Sequence, residues 1–162
     1  MDWQPWLILL HIAGGFTFAL AHGVSAFTAL KLRRERDPAR VTALLDLSKY
    51  SLPTSTLSLL VLLASGIAEG FAGAYWGRLW IWTSIGVLVV LFGFMGLRGV
   101  KHHDDVRHAL GVAGFYDHNR PVPPADPVAL ATLLDSPRAL ELAAVGGIGL
   151  AIILWLMVVK PF

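Results

Sequence analysis

The chain has 162 residues, of which 56% are hydrophobic and 15% are charged, with a net charge of +2. The charged fraction is far below the roughly 25% that is typical of a soluble domain, so the composition predicts a membrane protein. There is no cysteine, which excludes disulfides, thiolate metal sites and cysteine-ligated iron–sulfur clusters.

Four apolar runs predict four membrane-spanning helices, because each reaches the roughly 20 residues that cross a hydrocarbon core. They lie at about residues 5–30, 52–75, 79–97 and 139–159. The first run is too long for a signal-peptide core and lacks a clear cleavage site, so we expect a retained helix. Every backbone polar group in lipid must bond within its helix. The predicted fold is therefore all-α, a single four-helix bundle domain over residues 1–162.

Basic residues are concentrated in the two long loops predicted at residues 31–51 and 98–138. Because Lys and Arg beside spans stay on the cytoplasmic side, both loops are expected inside and both termini outside a bacterial cytoplasmic (inner) membrane. The predicted outer helix ends carry the aromatic residues that favour a membrane interface: Trp3, Trp6, Tyr75, Trp76, Trp80 and Trp82.

Three proline pairs in these loops are expected to begin helices, since Asp or Ser caps free amides and proline suits the first turn. They are Asp37-Pro38, Asp126-Pro127 and Ser136-Pro137. The first pair opens an amphipathic segment predicted to lie along the membrane surface. The proline-rich "RPVPPADP" at residues 120–127 predicts an extended stretch.

Two histidines lie within the first span, in "LLHIAGGFTFALAHGVSAF". The eleven-residue step from His11 to His22 returns an α-helix to within about 20° of its starting direction, about 16 Å along the axis. Both side chains therefore share a stripe with Gly14, Gly15, Phe18 and Ser25, which is expected to face the bundle. A buried imidazole needs a partner. It hydrogen-bonds to a neighbouring helix, ligates a metal or b-type haem iron, or takes part in proton transfer.

The second axial ligand is the difficulty for haem b, because the other predicted spans contain no histidine. Met157 is expected near the depth of His11, and Met95 near the depth of His22, so both are predicted second ligands. A homodimer or a partner subunit is the alternative source of a ligand. The predicted cofactor-binding residues are thus His11, His22, Met157 and Met95, and the candidate metal ligands are His11 and His22.

Two further groups are candidates for chemistry. Glu69, toward the outer end of the second span, is a candidate proton or ion relay or a partner of Arg78, or it is a carboxylate at the wet interface. The segment "VKHHDDVRHALG" places Asp104 and His108 one helical turn apart, where they share a metal ion or belong to a solvated juxtamembrane segment.

No phosphate-binding loop, nucleophile elbow or "HExxH" pattern is present, and no catalytic residue is predicted. Because topology accounts for the basic loops, nucleic-acid binding is not expected. The leading prediction is a small membrane subunit that binds haem b and passes electrons across the membrane or to a quinone. The alternatives are a cofactor-free scaffold or accessory subunit of a larger membrane complex, and a transporter of copper or another small solute. A redox or structural subunit is expected rather than a stand-alone enzyme.

Several segments resemble the bacterial predicted integral membrane proteins of domain-of-unknown-function family 2269. They are "LLHIAGG", "RERDPARVTALLDLS", "WGRLWIWTSIGVLVVL", "LLDSPRALELAAVGG" and "WLMVVKPF". The resemblance implies four helices and no particular activity. "LHIAGG" is also similar to the first helix of HemJ-type protoporphyrinogen oxidases and of CopD-like copper-resistance proteins. The HemJ resemblance implies a haem-binding role for His11, although the lysine of that group has no counterpart in the later spans.

Overall fold

The computed structural model describes residues 3–115, 117 and 121–162, which form helices and connections with no β-strand. The α-helices are α1 (Gln4–Leu32), α2 (Pro38–Ala72), α3 (Leu79–Phe94), α4 (Val100–Ala109), α5 (Pro127–Asp135) and α6 (Arg138–Val159). A 3-10 turn at Tyr75–Gly77 precedes α3, and a π-helix at Met95–Gly99 joins α3 to α4.

Four helical rods are long and apolar enough to cross a membrane: Gln4–Leu32, Pro38–Ala72, Leu79–Ala109 and Pro127–Val159. The predicted all-α fold with four spans is confirmed, and the chain is a multi-pass membrane protein. A hydrocarbon core about 30 Å thick needs about 20 helical residues. Because the rods that contain α2 and α3 have 35 and 31 residues, they extend beyond that thickness.

The four rods pack so that α1 lies between α2 and α6, while α6 also packs against α3. The short connection at residues 33–37 makes α1 and α2 antiparallel neighbours. At the end of α6, the Phe162 carbonyl accepts a hydrogen bond from the Trp80 amide at 3.4 Å. We call the end of the bundle that holds Gln4 and Phe162 the terminal end, and the end with residues 33–37 the loop end.

The second helix starts earlier than the sequence predicted. It is continuous from Pro38, and Pro53 lies inside it without ending it. The separate amphipathic helix predicted on the membrane surface is therefore wrong, as is a helix start at residue 52. Val41 and Leu45 are fully buried because this part of α2 packs against α4 and α5. The apolar cluster at the loop end comprises Leu32, Val41, Leu45, Val106, Ala109, Leu130 and Leu134.

Two of the three expected helix caps are present. The Asp37 carboxylate accepts from the Ala39 amide at 2.9 Å, and Asp126 accepts from the first amides of α5. Ser136 instead ends α5, and its hydroxyl donates back to Leu133 O at 2.8 Å. Residues 121–126 have no regular secondary structure, as predicted, while Arg120 lies outside the described residues.

Candidate functional site

His11 is bonded to the backbone of the neighbouring helix. Its Nδ1 lies 3.0 Å from the carbonyl oxygen of Leu62 and 3.4 Å from Ser65 Oγ, both on α2. Because a carbonyl oxygen only accepts, Nδ1 carries the proton and Nε2 keeps its lone pair. The ring rests on Gly66, where a Cβ would come within 2.8 Å of His11 Cε1. Hydrogen bonding across helices, one of the interpretations that the sequence left open, is thus present at His11.

His22 faces a different helix from the one that His11 faces. Its Nε2 is buried and has no hydrogen-bond partner among the described residues. A Cβ at Gly146 of α6 would lie 2.5 Å from this nitrogen and 2.6 Å from Met95 Cε. The ring of Phe18 stacks on the imidazole with centroids 6.0 Å apart. His22 and Met95, expected at similar depth, therefore both reach the same point on α6.

The approach of His22 and Met95 to α6 leaves no space for a haem between them. Both side chains end against the backbone of Gly146, where even a methyl group would be too close to either one. A flat macrocycle would require α1 and α6 to separate, so these residues do not fit haem b in this packing. Gly146 permits close helix packing at the point where the sequence predicted His22 and Met95 as haem ligands. This packing occupies the space that a haem would need.

His11 is better arranged than His22 to act as a metal ligand, because the Leu62 carbonyl accepts from its Nδ1–H and its Nε2 keeps a lone pair. Its predicted partner Met157, however, packs against the apolar cluster of Trp80, Ile81 and Leu156 at the terminal end. Within the described part of the chain, no group of three or more His, Cys, Asp or Glu side chains is arranged to hold a metal ion.

Glu69 is buried near the terminal end of α2, with 9% of its surface exposed. Its Oε1 has no hydrogen-bond partner among the described residues, and no ion pair joins it to Arg78 there. The sequence left open an ion pair between Glu69 and Arg78, and the described residues do not form it. Glu69 follows Ser65 by one helical turn, so it lies on the same face of α2 as the partner of His11.

A chain of hydroxyl groups connects three helices nearer the loop end. Ser25 Oγ on α1 lies 2.7 Å from Ser51 Oγ and 3.3 Å from Ser48 Oγ, both on α2. Ser48 Oγ lies 3.4 Å from His103 Nε2 on α4. The other ring nitrogen, His103 Nδ1, donates to the Gly99 carbonyl at 3.0 Å. An imidazole of α4 is thereby linked to the first membrane helix through serine hydroxyls.

Within this series of hydrogen bonds, the groups that accept show which hydroxyl or ring nitrogen carries each hydrogen atom. Ser51 Oγ donates to the Ser48 carbonyl at 2.7 Å, so in the Ser25–Ser51 bond Ser25 is the donor. His103 donates from Nδ1, which leaves Nε2 as an acceptor for Ser48. The single hydroxyl hydrogen of Ser48 can therefore point to Ser25 or to His103, which are at similar distances.

Gly14 brings the backbones of α1 and α2 together between these two polar regions. A Cβ at Gly14 would lie 3.1 Å from Leu62 N and 3.3 Å from Ser58 O. We call the polar interface of the two helices the α1–α2 seam: His11, Gly14, Ser25, Ser48, Ser51, Ser58, Ser65 and Glu69. The serines of α2 were not predicted as site residues, although the seven-residue spacing of Ser51, Ser58 and Ser65 indicates one helix face.

Two of the candidate residues of α4, Asp104 and His108, bond to the segment that follows the helix. His108 Nε2 pairs with Asp117, whose Oδ2 also accepts from the Gly114 amide at 2.8 Å. Asp104 Oδ1 accepts from the Phe115 amide at 2.7 Å. Asp104 and His108 therefore fix the segment after α4, and no described group there has the ligands of a metal site.

No protein-family profile, no curated protein and no solved structure matches the chain. Function is therefore argued from the geometry of the described residues.

Proposed function

We propose that this multi-pass membrane protein transfers protons along the α1–α2 seam and past His22, which lies on α1 between the two ends of the seam and faces α6. The observation that carries the proposal is that His22 Nε2 and Glu69 Oε1 are both buried in membrane helices without a hydrogen-bond partner in the described structure. Such groups cost several kcal/mol in hydrocarbon, and ionisable side chains inside spans are typical of proton and ion pathways.

The neighbouring groups can donate and accept protons at different atoms. His11 donates from Nδ1 to the Leu62 carbonyl and keeps Nε2 as an acceptor, so Nε2 is the atom that can take up a proton and release it again. Ser48 can turn its hydroxyl hydrogen between Ser25 and His103. These arrangements lie toward opposite ends of the bundle, which supports transfer across the membrane.

The middle of the proposed path depends on water. His11 and His22 are eleven residues apart, about 16 Å along α1, and Gly14 lies close to α2 between them. Direct transfer over that distance is excluded, so a chain of water molecules must connect the two imidazoles when protons pass. Glu69 and His11 then serve the terminal end, and Ser25, Ser48 and His103 serve the loop end.

Proton flux into sealed vesicles tests the proposal. The purified protein is reconstituted into vesicles that contain a pH-sensitive dye, and a potassium diffusion potential drives protons inward. We expect the wild type to acidify the vesicles, and His22→Phe and Glu69→Gln to lower the rate by about tenfold or more. Ser84→Ala is the matched control, because this buried serine bonds only within α3, to Trp80 O.

A wild-type rate equal to that of empty vesicles would contradict the proposal and favour the cofactor-free accessory subunit. Haem b at His11 stays a prediction, which an oxidised and reduced ultraviolet–visible spectrum of the wild type and His11→Ala decides. A haem band that is lost in His11→Ala would support the redox subunit. If Glu69→Gln and His22→Phe conduct protons as fast as the wild type, the proton flux does not depend on these residues, and the proposed path is wrong.

A further inference from the structure

A basic cavity of about 280 Å³ lies at the loop end, and none of its lining residues belongs to the α1–α2 seam. It is formed where the π-helix and α4 meet the start of α6. Its lining residues are Phe94, Leu97, Arg98, Lys101, Arg138, Glu141 and Leu142. Three cationic side chains and one carboxylate therefore surround one opening, beside three apolar side chains.

Two of the three cations are not neutralised by the protein. Arg138 lies 3.6 Å from Asp105 Oδ2, which is its ion-pair partner. Neither Arg98 nor Lys101 forms an ion pair within the described residues. The guanidinium of Arg98 lies 5.6 Å from the ring centroid of Phe94, which holds it at the cavity. The cavity thus carries excess positive charge.

The cavity lies at the depth of a membrane surface. Arg98 follows Leu79 by nineteen residues, about 28 Å along the helix, and Arg138 precedes Val159 by about 32 Å. Both distances are close to the thickness of a hydrocarbon core of about 30 Å. The cations therefore lie where lipid phosphates lie, and Leu97, which is 78% exposed, extends toward the hydrocarbon.

We propose that this cavity binds the phosphate headgroup of an anionic phospholipid. Arg98, Lys101 and Arg138 would contact the phosphate, because guanidinium groups bind phosphate oxygens in pairs and basic pockets between membrane helices bind anionic headgroups. The acyl chains would lie over Phe94 and Leu97. The apolar residues on one side of the cations favour a lipid over a free phosphate ion.

Thermal unfolding in detergent micelles with added lipid tests this site. Phosphatidylglycerol is expected to raise the melting temperature of the wild type, and phosphatidylcholine and inorganic phosphate are not. Arg98→Gln/Lys101→Gln is expected to need roughly tenfold to thirtyfold more phosphatidylglycerol for the same shift. Lys31→Gln/Arg34→Gln is the matched control, because it removes two charges at the loop end outside the cavity, and it should respond like the wild type.

Three results would overturn the proposal. Equal stabilisation by phosphatidylcholine would show an unspecific lipid effect, and equal stabilisation by inorganic phosphate would show a site for the free ion. An unchanged lipid response in Arg98→Gln/Lys101→Gln would place binding elsewhere. If that variant does not fold, native mass spectrometry of Arg98→Lys/Lys101→Arg, which keeps both charges, must show phosphatidylglycerol retained in preference to phosphatidylcholine.

Discussion

Arg107 of α4 donates from Nη1 to Asp46 of α2 at 2.9 Å, with the guanidinium side chain 8% exposed and the carboxylate side chain 45% exposed. The same guanidinium donates from Nε to the Ala113 carbonyl at 2.6 Å and lies 5.9 Å from the Phe115 ring centroid. One side chain therefore joins α4 both to α2 and to the segment that follows α4.

Arg107→Met is expected to lower the free energy of unfolding by about 1–3 kcal/mol, and by more than Asp46→Asn. The methionine loses the bonds to both Asp46 and Ala113, whereas Asp46→Asn keeps the bond to Ala113 and retains an acceptor oxygen for Nη1. Thermal or denaturant unfolding in detergent micelles measures both variants. A larger loss for Asp46→Asn would contradict this assignment.

Gly146→Ala is expected to destabilise the bundle by about 1–3 kcal/mol, because the new methyl group would overlap His22 and Met95. Gly147→Ala is the control, since a Cβ there meets nothing within 4 Å. Alanine favours a helix over glycine by roughly 0.5–1 kcal/mol, so the control should be neutral or slightly more stable. Equal melting temperatures for the two variants would show that α1, the π-helix and α6 do not meet at Gly146.

Asp126→Ala is expected to lower the free energy of unfolding by about 1 kcal/mol, because the carboxylate caps α5. Its Oδ1 accepts from the Val128 and Ala129 amides, both at 3.0 Å. Asp126→Asn keeps an oxygen in the capping position and should recover most of this loss. Amide hydrogen exchange at Val128 and Ala129 reports the cap directly, and unchanged protection in the alanine variant would count against it.

Glu35 gives the connection between α1 and α2 a dependence on pH. The amides of Asp37 and Arg36 donate to its carboxylate at 3.1 and 2.9 Å, which lowers the pKa of Glu35 below its ordinary value. This stabilisation is present above the ordinary pKa of a glutamate and is lost as the pH falls through the lowered value. We expect the wild type to be slightly more stable than Glu35→Gln at neutral pH.

This difference between the wild type and Glu35→Gln should shrink in acid. Melting temperatures of both proteins, measured from neutral pH into the acid range, test the expectation. A difference that stays constant over that range would show that the charge of Glu35 contributes nothing to the connection.

The spans and two helix caps could be predicted because they depend on local properties of the sequence. Apolar length indicated four crossings, and Asp37 and Asp126 precede proline in the pattern that begins helices. The continuity of the helix that begins at Pro38 with the second span was missed, because Val41 and Leu45 are buried by residues far along the chain, in α4 and α5. Tertiary packing turned a segment expected at the membrane surface into part of a long helix.

The candidate site was only partly predictable for the same reason. Helical spacing placed His11 and His22 on one side of α1, but it did not show that they face different helices, α2 and α6. The sequence placed Met95 near the depth of His22 but did not show that both lie against Gly146 of α6. The link from Ser25 to His103 could not be predicted either, because it needs the relative rotation of α1, α2 and α4.

The π-helix at Met95–Gly99 joins α3 to α4 and sets the rotation of α4 relative to α3 about their common axis. A π turn closes over one residue more than an α turn, and one residue of α-helix corresponds to about 100° of rotation. Deleting a single residue here is therefore expected to convert the π turn into an ordinary α turn, while α3 and α4 keep their relative rotation. His103 would stay near Ser48, and Arg107 near Asp46. The π turn thus lets the rod lose one residue at this junction without disconnecting the loop end from the membrane helices.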